Sequence, residues 1–276
     1  TTLWHNSFDD LLGNAADELT AALAPAVAAA AADVFPPDMP VRRETALVLA
    51  SVRQGRTLRG NAGRLGLNVN EGFGNLVMVP DGEPGKTCDF GHGLSFTVLG
   101  PRAERVGDLQ VEWDRQLQEY GLARAAEMAD ESVFNLSSLI VLARLGEGTM
   151  LLTGDARGAD ILEGLQNAGL MDGDVCHVDL FKGPHNGSDR NVTTEFFRRV
   201  TANHYVVSGN GKYGNPEPET FRMLVEARRG EEFTVYLTNR EPPAAVAVLE
   251  DPPGSGHRFD VKSRQDDARS ISVTLG

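Results

Sequence analysis

Cysteine is scarce in this sequence of 276 residues, which holds only Cys88 and Cys176. Neither belongs to a Cys-x-x-Cys pair, so we expect neither a disulfide framework nor a cysteine-rich zinc knuckle. Long apolar runs are also missing: the longest, residues 19–34, is mostly alanine and too short to span a bilayer. The first residues show no basic segment ahead of an apolar run, which predicts no signal peptide. We therefore expect a soluble, cytoplasmic protein with no membrane partner.

Basic residues are outnumbered, with 26 Lys and Arg against 39 Asp and Glu, for a net charge of −13. Proteins that bind nucleic acid by simple electrostatics usually carry a basic face. The composition therefore disfavours a broad nucleic-acid-binding surface. It does not exclude a compact active site that holds a phosphodiester through metal ions.

Helical and glycine-rich patterns occupy residues 1–93, which we predict to be a helical and loop insertion region. The segment 17–33 is rich in alanine, a strong helix former, and prolines follow it and end the pattern. Within this region, helices are predicted over residues 17–33 and 41–58, and one short strand over 76–79. A further helix is predicted beyond it, over residues 108–130.

Strand patterns dominate residues 94–240, which we predict to be the core of an α/β protein. Two apolar runs flank a short glycine turn within residues 138–153, which predicts a β-hairpin that is apolar on both faces. Short apolar strands then alternate with helices, as layered α/β domains require. The last part, residues 241–276, is predicted to end in a hairpin built from residues 258–262 and 270–274.

Three loops follow predicted strands and carry the candidate residues Asp155, His185 and Asn215. Sheets of this class place ligands at the carboxyl ends of their strands. Each residue also has a simpler interpretation. Asp155 could cap the next helix, His185 could be a surface-loop histidine, and Asn215 could belong to a turn.

Four motifs in order resemble the later motifs of metallo-β-lactamase-fold hydrolases, of the competence-protein type. An asparagine before a Ser-Leu-apolar strand begins at Asn135, and Leu-Leu-Thr-Gly-Asp ends at Asp155. A His-Asn-Gly-Ser loop spans residues 185–188, and Ser208 opens a loop that reaches Tyr-Gly-Asn-Pro at 213–216. The match covers about residues 94–240.

The resemblance implies an αββα sandwich, of which this chain is the C-terminal part, incomplete at its N-terminus. It also implies an activity, the cleavage of an ester, amide or phosphodiester by a metal-activated water. Asp155 and His185 are then the metal ligands and catalytic residues. The metal is expected to be zinc, with manganese as the alternative. Contacts to the substrate or to the metal ligands are expected at Asn135, Asn186, Ser188, Ser208 and Asn215.

Two departures and one absence separate the sequence from that family. Asn186 stands where the family has the second histidine of its His-His pair, and Asn215 stands where it has the histidine before proline. The family's His-x-His-x-Asp-His motif is absent, so we expect it upstream and predict that this chain alone is inactive. The alternative is a catalytically inactive scaffold of the same fold. In either case the substrate is unknown, and self-association through exposed apolar surface is expected.

Overall fold

A computed structural model of the chain describes residues 1–6, 28, 43–108, 111, 115, 137–212, 214–265 and 267–275, with the backbone alone for 43–53. The predicted helices 17–33 and 108–130 lie almost wholly outside the described residues. The chain forms two compact units. Unit 1 comprises Thr1–Asp81 and Pro101–Ser138, and unit 2 comprises Gly82–Gly100 and Leu139–Gly276.

Unit 1 contains a small parallel sheet and one long described helix. Strand β1 (Thr2–Leu3) pairs in parallel with β2 (Asn68–Val69). Helix α1 (Arg43–Arg64) begins close to the predicted start of residue 41 and extends past the predicted end. The strand predicted at 76–79 is reduced to a single bridge between Val79 and Arg102.

Unit 2 is built on one mixed sheet of eight strands, which run in the order β10-β9-β8-β7-β6-β5-β4-β3. Neighbours from β3 to β6 are antiparallel, and neighbours from β6 to β10 are parallel. The strands are β3 (Lys86–Asp89), β4 (Leu94–Gly100), β5 (Ile140–Leu145), β6 (Gly148–Leu152), β7 (Cys176–Lys182), β8 (Val200–Val207), β9 (Glu232–Leu237) and β10 (Arg258–Ser263). The sheet thus extends beyond the predicted core limits, residues 94 and 240, in both directions.

The predicted β-hairpin within residues 138–153 is confirmed as β5 and β6, which pair antiparallel across a two-residue turn. The first four residues of β5 are all buried, as its run of β-branched and aliphatic residues requires. Those side chains alternate between the two faces of the sheet, so both faces are covered at this strand. In β6 only Leu151 is fully buried, and Leu145 at the end of β5 is 62% exposed, so self-association through exposed apolar surface stays a prediction.

Four helices follow the hairpin and share one hydrophobic core with the sheet. They are α2 (Gly158–Asn167), α3 (Thr194–Arg199), α4 (Pro218–Ala227) and α5 (Pro243–Glu250). Thr193 is the N-cap residue of helix α3, and its hydroxyl accepts the amide of Phe196 at 3.0 Å, which satisfies one free helix N–H. Phe181, Phe196 and Tyr205 are among the largest fully buried side chains of this core.

The predicted terminal hairpin is wrong, although its first strand is correct. Residues 258–263 alternate between exposed and half-buried positions, as predicted, and form β10. Their partner is β9, in parallel, and residues 270–275 have no strand structure. The connection between β9 and β10 passes through α5, a helix that the sequence reading missed.

The described structure is therefore of the mixed α/β class. No described helix has both the length and the apolar character needed to cross a membrane.

Candidate functional site

The predicted loops meet at one edge of the unit 2 sheet, because β6, β7 and β8 are neighbours and parallel. The backbone amide of His185 donates to the carbonyl of Gly154 at 2.9 Å. The side-chain amide of Asn215 donates to the carbonyl of His185 at 2.9 Å. These two hydrogen bonds join the loops that hold Asp155, His185 and Asn215 into one candidate site.

Asp155 is half-buried in the loop after β6. The alternative interpretation of this residue as the cap of the next helix is wrong, because helix α2 begins after Arg157, and Arg157 is its N-cap residue. The carboxylate of Asp155 acts on the nearby Lys182 ammonium. Burial lowers the pKa of Lys182, and the charge of Asp155 opposes part of that shift.

His185 is half-buried, and its imidazole is held by Asn191. The Nδ1 atom of His185 lies 3.1 Å from Oδ1 of Asn191. Nδ2 of Asn191 donates to the carbonyl of Asp155 at 2.7 Å and to that of Ala156 at 3.3 Å. The amide oxygen can only accept, so His185 Nδ1 carries the proton. The neutral imidazole therefore keeps its lone pair on Nε2, the state in which histidine binds metals.

The backbone after Pro184 is strained. His185 has φ 45° and Asn186 has φ 53°, in the left-handed region that side chains with a Cβ rarely occupy. Gly187 follows with φ 91°, and a Cβ there would lie 2.7 Å from Cβ of Pro216. Glycine is thus required at 187 by both conformation and space. Such strain, of about 1–3 kcal/mol per residue, persists only where surrounding contacts enforce it, and it is concentrated at functional sites.

The remaining predicted residues fall into two groups. Asn186 is exposed, and its Oδ1 accepts the hydroxyl of Ser208 at 3.1 Å, so this pair forms part of the open rim. Ser188 is 4% exposed and donates to Glu217 at 3.2 Å. Ser188 and Asn215 therefore hold the backbone of the loop in place and do not belong to the open rim. The predicted contact Asn135 lies outside the described residues.

A pair of carboxyl groups, those of Asp189 and Glu217, lies beside the loop of residues 184–188. Burial and the neighbouring Glu217 raise the pKa of Asp189. Burial alone would raise the pKa of Glu217 too, but hydrogen bonds from Asp189 and Ser188 bring it below its ordinary value. As the pH falls, the first proton that this pair takes up therefore binds to Asp189.

Sequence reasoning missed two residues that shape the site, Asn191 and Lys182. An asparagine in a loop reads as a turn residue, so no local signal marks Asn191. Lys182 is the last residue of β7, and its Nζ donates to the carbonyl of Gly183 at 2.6 Å. A lysine at the end of an apolar strand, directly before a loop that contains a histidine, is a sequence pattern that could have identified Lys182 as a candidate site residue.

The donors in the described part of the chain do not complete a metal site. No group of three or more His, Cys, Asp or Glu side chains is placed to hold an ion among the described residues. Asp155 and His185 are only two candidate ligands, whereas zinc sites use three or four protein ligands.

No protein-family model matches the sequence, no curated protein matches it, and no solved structure matches its fold.

Proposed function

We propose that the complete protein is a metal-dependent hydrolase of the metallo-β-lactamase fold that cleaves an ester or a phosphodiester. The observation that carries this proposal is the link between the two candidate ligands. Asn191 holds the His185 proton on Nδ1 and also binds the carbonyl of Asp155. A ligand imidazole oriented through its other nitrogen is typical of metal sites.

The strand arrangement supports the proposed αββα sandwich, with this chain as its C-terminal part. The β5–β6 hairpin leads into parallel strands, and the loops after β6, β7 and β8 carry the motifs that resemble that family. The His-x-His-x-Asp-His motif, which the 276 residues do not contain, would supply the missing ligands.

Zinc is the metal that we propose, with manganese as the alternative. The chemistry that such an ion supplies is a bound water of lowered pKa. In this chain, Asp155 and His185 would each contribute one ligand. Lys182 places a positive charge beside Asp155, and Asn186 and Ser208 form an exposed polar rim that a substrate could contact.

A second function, an inactive scaffold of the same fold, is favoured by a different observation. Asn215 donates its side-chain amide to the His185 carbonyl, which is a structural role that needs no metal. Asn186 is likewise engaged with Ser208. Asparagine is a poor zinc ligand compared with histidine, so both positions fit a site that no longer holds an ion.

The two functions are separated by metal content and turnover of the complete protein. Elemental analysis after dialysis, and hydrolysis of bis(p-nitrophenyl) phosphate and p-nitrophenyl acetate, would be measured for the parent protein and for Asp155→Asn and His185→Asn. The hydrolase predicts that both variants lose metal and at least about a hundredfold in rate, because neither replacement is an effective ligand.

The matched controls are Asp172→Asn and His257→Asn, since both residues lie away from this edge and Asp172 is exposed. They should keep full metal content and rate. Retained metal and activity in Asp155→Asn would exclude Asp155 as a ligand. A parent protein with neither metal nor turnover would favour the scaffold.

A further inference from the structure

A cavity of about 450 Å³ lies at the opposite edge of the sheet from the candidate site. It opens at the amino-terminal ends of β7, β8 and β9, and its lining includes His177, Thr201, Arg228 and Glu231. Cavities that bind small molecules commonly measure about 300–1,000 Å³ and carry a few polar groups. The proposed hydrolase site makes no use of this edge.

Arg228 is the unusual residue of this cavity. It ends helix α4 and is only 8% exposed, although it carries a charge. Its Nη2 forms an ion pair with the carboxylate of Glu231, and its Nε has no hydrogen-bond partner among the described residues. A buried guanidinium N–H without an acceptor is costly, and such groups are commonly completed by a ligand, an ion or water.

The acceptor that Arg228 lacks matches one chemical class. Nε and Nη2 form one edge of the guanidinium, and two parallel N–H groups on such an edge bind the two oxygens of a carboxylate or a phosphate. Glu231 uses only the Nη2 side of that edge, and its side chain is 51% exposed. It is therefore free to rotate outward when a ligand with a second oxygen takes its place.

His177 and Thr201 add an oriented polar pair to the lining. The hydroxyl of Thr201 donates to the carbonyl of Cys176 at 3.4 Å, so its oxygen accepts the Nδ1 proton of His177 at 2.9 Å. The Nε2 atom of His177 then remains as a second polar group of fixed orientation on the cavity wall.

We propose that this cavity binds a small molecule through a carboxylate or phosphate group, which pairs with Arg228 and displaces Glu231. The oxyanion occupies the Nε–Nη2 edge of Arg228, and the body of the ligand lies along the wall that contains His177 and Thr201.

The test is a titration of the 276-residue chain with inorganic phosphate in one arm and acetate in the other, at constant ionic strength set with chloride. The readout is the imidazole NMR signal of His177, assigned by its loss in His177→Gln. We expect a saturable shift with phosphate, acetate or both, while the signals of His185 and His257 stay in place.

The arm that saturates identifies the ligand as a phosphate or a carboxylate. No saturable shift in either arm, or the same shift in chloride alone, would overturn the proposal. A shift of His185 without His177 would also overturn it, because the anion would then bind at the other edge of the sheet.

Two substitutions test the role assigned to the ion pair. Glu231→Gln removes a negative charge that competes for Arg228, so the anion should bind about fivefold more tightly. Arg228→Met removes the proposed anchor, so affinity should fall by at least about tenfold. Glu231 is half-exposed, and its variant remains decisive even if Arg228→Met fails to fold.

The matched controls are Glu219→Gln and Arg222→Met. These residues form an exposed pair on the same helix with the same three-residue spacing, and they do not line the cavity. Neither control should change anion affinity by more than about twofold, because exposed charges are strongly screened. Equal effects of Glu231→Gln and Glu219→Gln would reject the site.

Discussion

Asn191 connects the two candidate ligands through all the polar atoms of its side chain. It is 3% exposed, so water cannot replace these hydrogen bonds if the amide is lost. We predict that Asn191→Leu lowers the free energy of unfolding by about 1–3 kcal/mol, because it leaves buried carbonyls without donors. We also predict that His185 then populates both neutral tautomers, which nitrogen NMR of the imidazole would measure.

Asn191→Asp is the informative companion of that variant. A carboxylate still accepts from His185 Nδ1, so this variant should keep the single His185 tautomer that Asn191→Leu loses, as nitrogen NMR would show. Asn167→Leu, at an exposed position of α2, is the control and should change stability by less than about 0.5 kcal/mol. An unchanged His185 tautomer in Asn191→Leu would show that Asn191 does not orient the imidazole.

Tyr205 carries the clearest pH dependence of the core. Burial raises the pKa of Tyr205 to about 12, while the unfolded chain ionises near the ordinary value of 10. Between those pH values the unfolded state loses the proton first, so unfolding becomes more favourable. We predict that this residue alone removes about 2–3 kcal/mol of stability as the pH rises from 10 to 12.

Chemical denaturation of the parent chain and Tyr205→Phe across this range isolates the effect. Phenylalanine cannot ionise, although it loses the hydrogen bond in which the Tyr205 hydroxyl accepts the Ala202 amide. The variant should therefore be less stable than the parent by a constant amount below pH 9 and should close that difference toward pH 12. Parallel curves up to pH 12 would contradict the assigned pKa.

The sequence identified Asp155 and His185 but not what orients them. Each was selected because it follows an apolar strand in a familiar order of motifs, and the parallel strands do bring their loops together. The role of Asn191 depends on a hydrogen bond to a carbonyl 36 residues earlier in the chain. No local pattern encodes a contact of that separation, which is why the sequence reading missed it.

Helix α2 packs unusually close to β4. A Cβ at Gly164 would lie 2.8 Å from the carbonyl oxygen of Leu99, which is closer than carbon and oxygen can approach without displacement. Alanine normally stabilises a helix relative to glycine by about 0.5–1 kcal/mol. We predict the opposite sign for Gly164→Ala, a loss of about 1–3 kcal/mol, because the helix must move away from the strand.

Gly63→Ala in helix α1 provides the matched control. A Cβ at Gly63 would meet no atom of the described residues within 4 Å, so the ordinary helix preference should apply and raise stability by about 0.5–1 kcal/mol. Urea denaturation of both variants measures the two signs. A gain in stability for Gly164→Ala would mean that α2 does not approach β4 this closely.

Strands and helices were predicted best where a pattern is local. The β5–β6 hairpin has its apolar runs and its glycine turn within 13 residues, Ile140 to Leu152, and it was found. The last strand was predicted within one residue of its observed end, but its sequence does not show which strand it pairs with. Its true partner, β9, is reached only through α5, whose eight residues are too few for a clear helical period.

Metal binding is a property of the whole donor set rather than of one loop. We predict that the 276-residue chain binds zinc or manganese weakly or not at all, because Asp155 and His185 fall short of three ligands. Elemental analysis after dialysis of the purified chain would measure this. Stoichiometric metal that survives dialysis would contradict the prediction, and it would place further ligands outside the described residues.

The strand order of unit 2 has a consequence for how the molecule acquires its structure. From β3 to β10, every strand lies beside its predecessor in the chain, so the sheet can lengthen one strand at a time as the polypeptide is synthesised. Each parallel strand after β6 follows the helix that connects it to its neighbour, so each parallel pair forms once that single helical connection has been synthesised. The exception is the 39-residue interval between β4 and β5, residues 101–139. During synthesis, β5 therefore cannot pair with β4 until all the residues of this interval have been added.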